Sequence, residues 1–158
     1  MPAVSGLGHV GIHVNDLMAQ RDFYSRIMGL KIADEDLEDR KMVFFSANPE
    51  EEHHEFVIVA GRTAPEDTVL INQISFKVDT LAELKEFYNV FRAEGVRIDR
   101  TVSHGNAFGM YARDPEGNTI EVYYKTGFPV PQPHADIVDF DAPEEELLAA
   151  ARALIPTS

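Results

Sequence analysis

The sequence contains neither cysteine nor tryptophan. Without cysteine there is no disulfide framework and no thiolate metal site, so any metal ion must be bound by histidine, carboxylate or amide groups. Apolar runs are short, and the N-terminus lacks a charged region followed by an apolar one. These absences argue against a membrane partner and predict a cytoplasmic protein.

Basic residues are also scarce, because 14 Lys and Arg stand against 27 Asp and Glu, a formal net charge of −13. A field of that sign repels phosphate backbones, so nucleic acid is not expected as a partner. The 158 residues are 44% hydrophobic, which is enough apolar content for a folded core. We therefore expect an ordinary globular chain.

Two stretches of the chain repeat one order of elements: strand, helix and three further strands. In the first stretch the hydrophobic pattern predicts a strand at Leu7–Val14, a helix at Leu17–Met28, and strands at Lys31–Ala33, Met42–Ala47 and His53–Ala60, with a charged loop at residues 34–41. In the second it predicts a strand at Ile71–Val78, a helix from the Thr80–Glu83 capping box to Gly95, and strands at Val96–Asp99, Phe108–Arg113 and Thr119–Lys125.

The two stretches match at a nearly constant spacing. Asp16 falls on Thr80 at an offset of 64 residues, and Pro49 falls on Pro115 at an offset of 66. Such self-similarity indicates a duplicated unit. We therefore predict an α+β fold in which two βαβββ modules, at about 6–61 and 70–127, form curved mixed sheets around a barrel-like cavity. The segment Arg62–Val69 would link the modules within one domain, 1–127.

The C-terminal segment, 128–158, departs from the repeat. Three prolines between Phe128 and His134 exclude a helix there and predict an extended arm. Asp141, three residues before Glu144, is then expected to cap a short helix. Its apolar stripe would be formed by Leu147, Leu148, Ala151 and Leu154. The stripe must cover either the chain's own sheets or a partner chain, so a homodimer stays open.

The hairpin between Phe108 and Lys125 carries groups that can do chemistry. Its turn, Asp114 to Asn118, folds Tyr111 back beside Glu121, and His104 enters from the preceding loop. A carboxylate, a phenol and an imidazole on one sheet face suit a metal site with proton-transfer groups. From spacing alone, a hairpin whose Glu and His face water is the more usual interpretation, because most isolated His and Glu are surface groups.

The repeat adds three candidate ligands to Glu121. His9 and Gln73 fall on the first strands of the two modules, and Glu55 is the equivalent of Glu121 on the last strand of the first module. We expect these four side chains to converge on one cavity, where a divalent ion with open positions for substrate could bind.

At this point the chain resembles the vicinal oxygen chelate superfamily. The pattern Val102-Ser103-His104, Met110-Tyr111, Asp114-Pro115-Glu116-Gly117 and Glu121 is similar to the signature of its type I extradiol ring-cleaving dioxygenases. The resemblance implies Fe(II) as cofactor, with Mn, Zn or Ni as alternatives, and a small aromatic catechol and O₂ as substrates.

The resemblance also implies roles for individual residues. His9 and Glu121 match iron ligands, His54 matches an acid–base residue, and His104 and Tyr111 match residues that contact the substrate. The third iron ligand of the family is a histidine on the first strand of the second module, where this chain has Gln73.

Two other functions of the same fold stay open. The set His9, Glu55, Gln73 and Glu121 is similar in composition to the four metal ligands of glyoxalase I, which uses Zn or Ni. Other proteins of this fold sequester cationic drugs without a metal. If His53 to Glu55 lie within a regular strand, His54 and Glu55 point to opposite faces, and only one of them lines the cavity.

Overall fold

The computed structural model describes residues 4, 6–65, 68 and 71–156. The predicted linker Arg62–Val69 therefore lies partly outside the described residues. The chain divides into two compact units, residues 1–68 and 69–158. The elements of the first unit are β1 (Val10–Val14), α1 (Leu17–Asp22, continued by a π-helical turn at Phe23–Ile27), β2 (Lys31–Asp36), β3 (Met42–Ser46) and β4 (Phe56–Ala60). Those of the second are β5 (Ile74–Val78), α2 (Leu81–Ala93), β6 (Ile98–Ser103), β7 (Ala107–Arg113), β8 (Thr119–Lys125), β9 (Asp136–Ile137) and α3 (Glu144–Ala153).

The first unit is a four-stranded sheet in the order β1-β4-β3-β2, with β1 parallel to β4 and the other pairs antiparallel. The carboxylate of Asp16 caps α1 by accepting from the amides of Met18 and Ala19 at 3.1 and 2.9 Å. The core includes the fully buried side chains of Tyr24 and Ile58. The predicted order of elements is confirmed for this unit.

The second unit repeats that order and adds an edge strand, giving β5-β8-β7-β6-β9. Thr80 and Glu83 form the predicted capping box at the start of α2. Leu84 and Phe91 of α2 are completely buried. The α+β class and the repeated βαβββ order are both confirmed.

Several strands begin later than the pattern predicted. The β1–β4 ladder begins where Val10 pairs with Phe56, so His9 precedes β1 and the residues from His53 to Glu55 precede β4. Gln73 likewise lies just before β5. The expectation of a strand from His53 was wrong, and strand alternation therefore does not decide which way His54 and Glu55 point.

Two other strands are longer than predicted. Strand β2 runs on to Asp36 because, at the edge of its sheet, its charged side chains face solvent while its backbone pairs with β3. A register shift after Ile32 accommodates the extra residue. Strand β6 extends to Ser103 because β9, from the C-terminal arm, pairs with its outer edge.

The C-terminal helix corrects one prediction and answers an open question. Asp141 does not cap α3; Pro143 is at the N-cap, and the Asp141 carboxylate instead pairs with Arg92 of α2 at 3.0 Å. Leu147 and Ala151 of the predicted stripe are buried within the second unit, while Leu148 and Leu154 are half-buried. Because Phe140 also packs edge-on against Tyr88 of α2, the arm and α3 cover their own unit.

Candidate functional site

A tight turn sets the register of the hairpin that carries the candidate site. The buried Asp114 carboxylate accepts from the amides of Glu116 and Asn118 at 3.0 and 2.8 Å. Gly117 adopts φ +79°, which a side chain would oppose. In the resulting register Tyr111 of β7 lies directly opposite Glu121 of β8, as predicted.

The Glu121 carboxylate is buried. On the side of β8 away from β7, it is hydrogen-bonded to residues at the start of β5. Ser75 is its register partner and donates its hydroxyl to Oε2 at 2.6 Å. The Gln73 amide donates to the same oxygen at 2.9 Å, and to the Ser75 hydroxyl at the same distance. The structure therefore brings the predicted residues Gln73 and Glu121 together.

The Tyr111 phenol connects Glu121 to His104. Burial, followed by its hydrogen bond to the Glu121 carboxylate, raises the pKa of Tyr111 above its usual value, and Arg100 opposes that rise. The hydroxyl also lies 3.4 Å from Nε2 of His104. Since a phenol has one hydrogen, it can donate either to Glu121 or to His104. The row of neighbouring side chains Glu121, Tyr111 and His104 is therefore suited to moving a proton.

The C-terminal arm holds His104 in place. Its Nδ1 lies 2.6 Å from the carbonyl oxygen of His134. A carbonyl only accepts, so Nδ1 carries the hydrogen, and a neutral His104 presents a free lone pair at Nε2 to Tyr111. Gln132 donates to the carbonyl of His104 at 2.7 Å. Val130 packs over Gly105, where a β-carbon would lie 2.7 Å from its Cγ1 atom.

Sequence reasoning missed two residues of this row, Ser75 and Arg100. Ser75 follows Gln73 by two residues, so the period of a strand could have found it. Arg100 is the register partner of Tyr111 on β6, and its guanidinium carbon lies 4.3 Å from the centre of the phenol ring. A bulge at Asp99 creates that pairing, and no sequence pattern signals it.

The first unit groups three histidines, His9, His53 and His54, and Phe44 packs against the last two. The rings of His9 and His54 are 4.4 Å apart between centroids, and the Nδ1 atoms of His53 and His54 are 2.9 Å apart. Phe44 packs edge-on against His54. Burial, and then the charges of His9 and His53, lower the pKa of His54 below its usual 6.5. His54 therefore favours the neutral form, which can accept a proton.

Glu55, the alternative fourth ligand, is engaged within its own unit. Its Oε2 accepts from the amide of Ala47 at 2.8 Å, and the Ser46 hydroxyl lies 3.4 Å away. These contacts tie the end of β3 to the start of β4. The Glu55 carboxylate thus connects two neighbouring segments of its own unit, as the Glu121 carboxylate does in the second unit through Ser75 and Gln73.

The repeated architecture of the two units agrees with the protein family that the sequence matches. Residues 6–122 match the model of the Glyoxalase/Bleomycin resistance protein/Dioxygenase superfamily. The chain belongs to this superfamily. Its members typically bind a divalent metal. In the described part of the chain, no helix is long and apolar enough to cross a membrane.

The chain is similar in sequence to two enzymes of Rhodococcus globerulus. Biphenyl-2,3-diol 1,2-dioxygenase 2 is 25% identical over 126 residues, and biphenyl-2,3-diol 1,2-dioxygenase 3 is 29% identical over 127. Each match covers 77% of this chain and 64% of the relative, so the chain spans less than two thirds of the length of these enzymes.

Among solved structures, the fold is similar to that of lactoylglutathione lyase from Agrobacterium tumefaciens. The TM-score is 0.61 at 21% identity, with 78% of this chain and 96% of that chain covered. At this identity the likeness supports the fold alone. Fold does not decide between the functions of the superfamily, which depend on the site.

The donor chemistry of the second unit fits a divalent ion in part. Among the described residues, no group of three or more His, Asp or Glu side chains is arranged to hold a metal. Glu121 and Gln73 nevertheless offer a carboxylate and an amide oxygen, which are ligands that hard divalent ions accept. A bound ion would have to replace the hydrogen bonds that Gln73 and Ser75 now donate to Glu121, so we expect its affinity to be low.

Proposed function

We propose that this protein is an Fe(II)-dependent extradiol ring-cleaving dioxygenase that acts on a catechol with O₂. One observation carries the proposal: His104, Tyr111 and Glu121, the residues of the extradiol signature, form a continuous row in the second unit. The similarity to two biphenyl-2,3-diol dioxygenases over 77% of the chain supports the substrate class.

The metal would be held by Glu121 and Gln73, with His9 as a further ligand on the strength of the resemblance alone. When bound, Fe(II) would supply positions for the two oxygens of the diol and for O₂. Mn, Zn and Ni are the alternatives. Because Gln73 provides a neutral amide where the extradiol pattern has an imidazole, we expect weaker iron binding than in a two-histidine, one-carboxylate site.

Tyr111, His104 and His54 are the side chains proposed to handle protons. Tyr111 can pass the hydrogen of its phenol to Glu121 or to Nε2 of His104, and the bond from His104 to the arm keeps that nitrogen available. His54, whose pKa is lowered by burial, is the proposed base that takes a proton from the diol and later returns it. These roles leave no part for Glu55.

A second candidate function, metal-free binding of a small molecule, is favoured by a specific observation. Oε2 of Glu121 already accepts two hydrogen bonds, from Ser75 and Gln73, so the buried carboxylate is satisfied without a metal ion. The glyoxalase-like alternative gains no such support, because Glu55 is bonded to the amide of Ala47.

Anaerobic reconstitution with Fe(II), followed by oxygen uptake with catechol and biphenyl-2,3-diol, tests the proposal. We expect one iron per chain and oxygen uptake that requires the diol. Diol binding by protein that retains no iron would support the binding function. Activation by Zn or Ni without oxygen uptake would support an isomerase.

The variant Gln73→His distinguishes a weakened iron site from a site that does not bind iron. The imidazole completes two histidines and one carboxylate, so we expect tighter Fe(II) binding and higher or newly created ring-cleaving activity. Unchanged iron affinity in this variant would mean that residue 73 does not face the metal.

A further inference from the structure

A bulge in β6 decides which side chain lies beside Tyr111. Ile98 pairs with Ala112, so in a regular ladder Asp99 would lie opposite Tyr111. The register shifts between Ile98 and Arg100, and Arg100 takes that place instead. Bulges re-aim side chains next to functional sites. Here the bulge places the cationic Arg100, instead of the anionic Asp99, beside the phenol.

The displaced acid is neutralised by other arginines. The Asp99 carboxylate pairs with Arg113 at 2.6 Å and with Arg97 at 2.8 Å. These contacts, with burial opposing them, lower the pKa of Asp99. Asp99 is therefore ionised and fully engaged, and it does not compete for Arg100.

Arg100 is a cation without an acidic partner among the described residues. Its described contact is with Tyr111, over whose ring the guanidinium lies, while the side chain stays exposed. Stacking of this kind fixes the plane of the guanidinium, and the N–H groups that do not bond to the Tyr111 hydroxyl can donate to a ligand. In a chain of net charge −13, such a cation is the local feature that would attract an anion.

The four register partners Ser75, Glu121, Tyr111 and Arg100 lie on adjacent strands β5, β8, β7 and β6. Glu121 and Arg100 are thus two strand spacings apart, about 10 Å. A substituted benzene ring can lie along such a row, with its hydroxyls toward Glu121 and an acid group toward the guanidinium. The planar fork of arginine matches a carboxylate.

We propose that Arg100 forms a carboxylate subsite and that the substrate is a catechol carrying an acid group. This inference rests on the proposed function, because it names the substrate class of the same site. Arg100 is a specificity residue in this proposal.

Anaerobic binding of matched diols by isothermal titration tests the subsite without turnover. The ligands are 2,3- and 3,4-dihydroxybenzoate, compared with 4-methylcatechol, which lacks the acid group. We expect at least one acid to bind about tenfold more tightly than 4-methylcatechol, as a charge-assisted hydrogen bond of ~1.4 kcal/mol gives. Arg100→Gln should remove that preference, so that the acids bind no more tightly than 4-methylcatechol, and Arg100→Lys should restore part of it.

Arg97→Gln is the matched control, because Arg97 is an exposed arginine near the start of the same strand that pairs with Asp99. It should keep the preference of the wild type. Equal binding of acids and 4-methylcatechol by the wild type, or a preference that survives Arg100→Gln, would overturn the subsite and leave the proposed function standing. If no diol binds, the proposed function fails. In that case the subsite is tested by titrating the protein with benzoate and measuring the changes in NMR chemical shift. Benzoate binding that is lost in Arg100→Gln supports the subsite, and any other result overturns it.

Discussion

The carboxylate of Glu121 fills the space above Gly109: a β-carbon at Gly109 would lie 2.7 Å from Oε1 of Glu121. Gly109 shares a face of β7 with Tyr111, whose register partner is Glu121. The absence of a side chain at position 109 therefore leaves room for the carboxylate beside the phenol. Glycine weakens a strand, so its presence here reflects that close approach.

Gly109→Ala should displace the Glu121 carboxylate, which disturbs the hydrogen bonds that Ser75 and Gln73 donate to it. We expect Fe(II) affinity to fall about tenfold or more, ~1.4 kcal/mol, and the thermal midpoint to fall as well. Anaerobic metal titration and thermal denaturation measure the two effects. Gly11→Ala on β1 is the control, since its β-carbon would meet Val57 at an ordinary 3.7 Å. Equal metal affinities in both variants would show that the position of Glu121 does not depend on Gly109.

Gly105→Ala tests whether the C-terminal arm sets the tautomer of His104. Gly105 has φ +73°, and its new methyl group would meet Val130 at 2.7 Å. We expect the bond from His104 Nδ1 to His134 to weaken, so that the hydrogen distributes over both ring nitrogens. The ¹⁵N chemical shifts of the His104 ring report this directly.

Gly95→Ala provides the matched control for that variant. Gly95 has φ +69° with open space around its Cα, so it carries the same backbone penalty without the clash. Gly95→Ala should lose roughly 1–2 kcal/mol of stability, and Gly105→Ala should lose more because of its clash with Val130. The hypothesis fails if Gly95→Ala alters the His104 ring shifts as much as Gly105→Ala does.

Whether the sequence predicts a contact of this site depends on how far apart along the chain the two residues lie. The turn at Asp114 is local, and Pro and Gly determine it, so the pairing of Tyr111 with Glu121 was predicted correctly. The helix at Leu17 was likewise predicted from its cap. Both depend on residues only a few positions apart.

Contacts that depend on distant segments were not predictable in this way. Arg100 faces Tyr111 because of a bulge in the ladder, and His104 is held by an arm about 30 residues further along the chain. The strand predicted from His53 was wrong at its first residues, because the inter-strand hydrogen bonds begin only at Glu55, whose amide donates to Phe45 and whose carbonyl accepts from Val10. A hydrophobic pattern contains none of this information.

His54 should titrate below 6.5 in protein treated with a chelator, as followed by its ring proton NMR signals. Its pKa is lowered first by burial and then by His9 and His53. His9→Gln should therefore raise the midpoint without restoring the ordinary value. Because the folded pKa is the lower one, the folded state binds fewer protons just below pH 6.5, so His54 makes stability fall as pH drops through that window. His13→Gln, an exposed histidine on β1, should leave the midpoint unchanged. A midpoint at or above 6.5 would contradict the burial of this ring.

Metal content in Glu121→Gln and Glu55→Gln tests the central claim most directly, because the two glutamates occupy equivalent positions of the repeat. Gln at position 55 can still accept from the Ala47 amide, whereas Gln at position 121 removes the anionic ligand. After anaerobic loading with Fe(II), we expect Glu55→Gln to hold as much iron as the wild type and Glu121→Gln to hold almost none. Equal losses in both variants would contradict the proposed centre and support a four-ligand, glyoxalase-like site, and full iron retention by Glu121→Gln would show that the metal does not bind at Glu121.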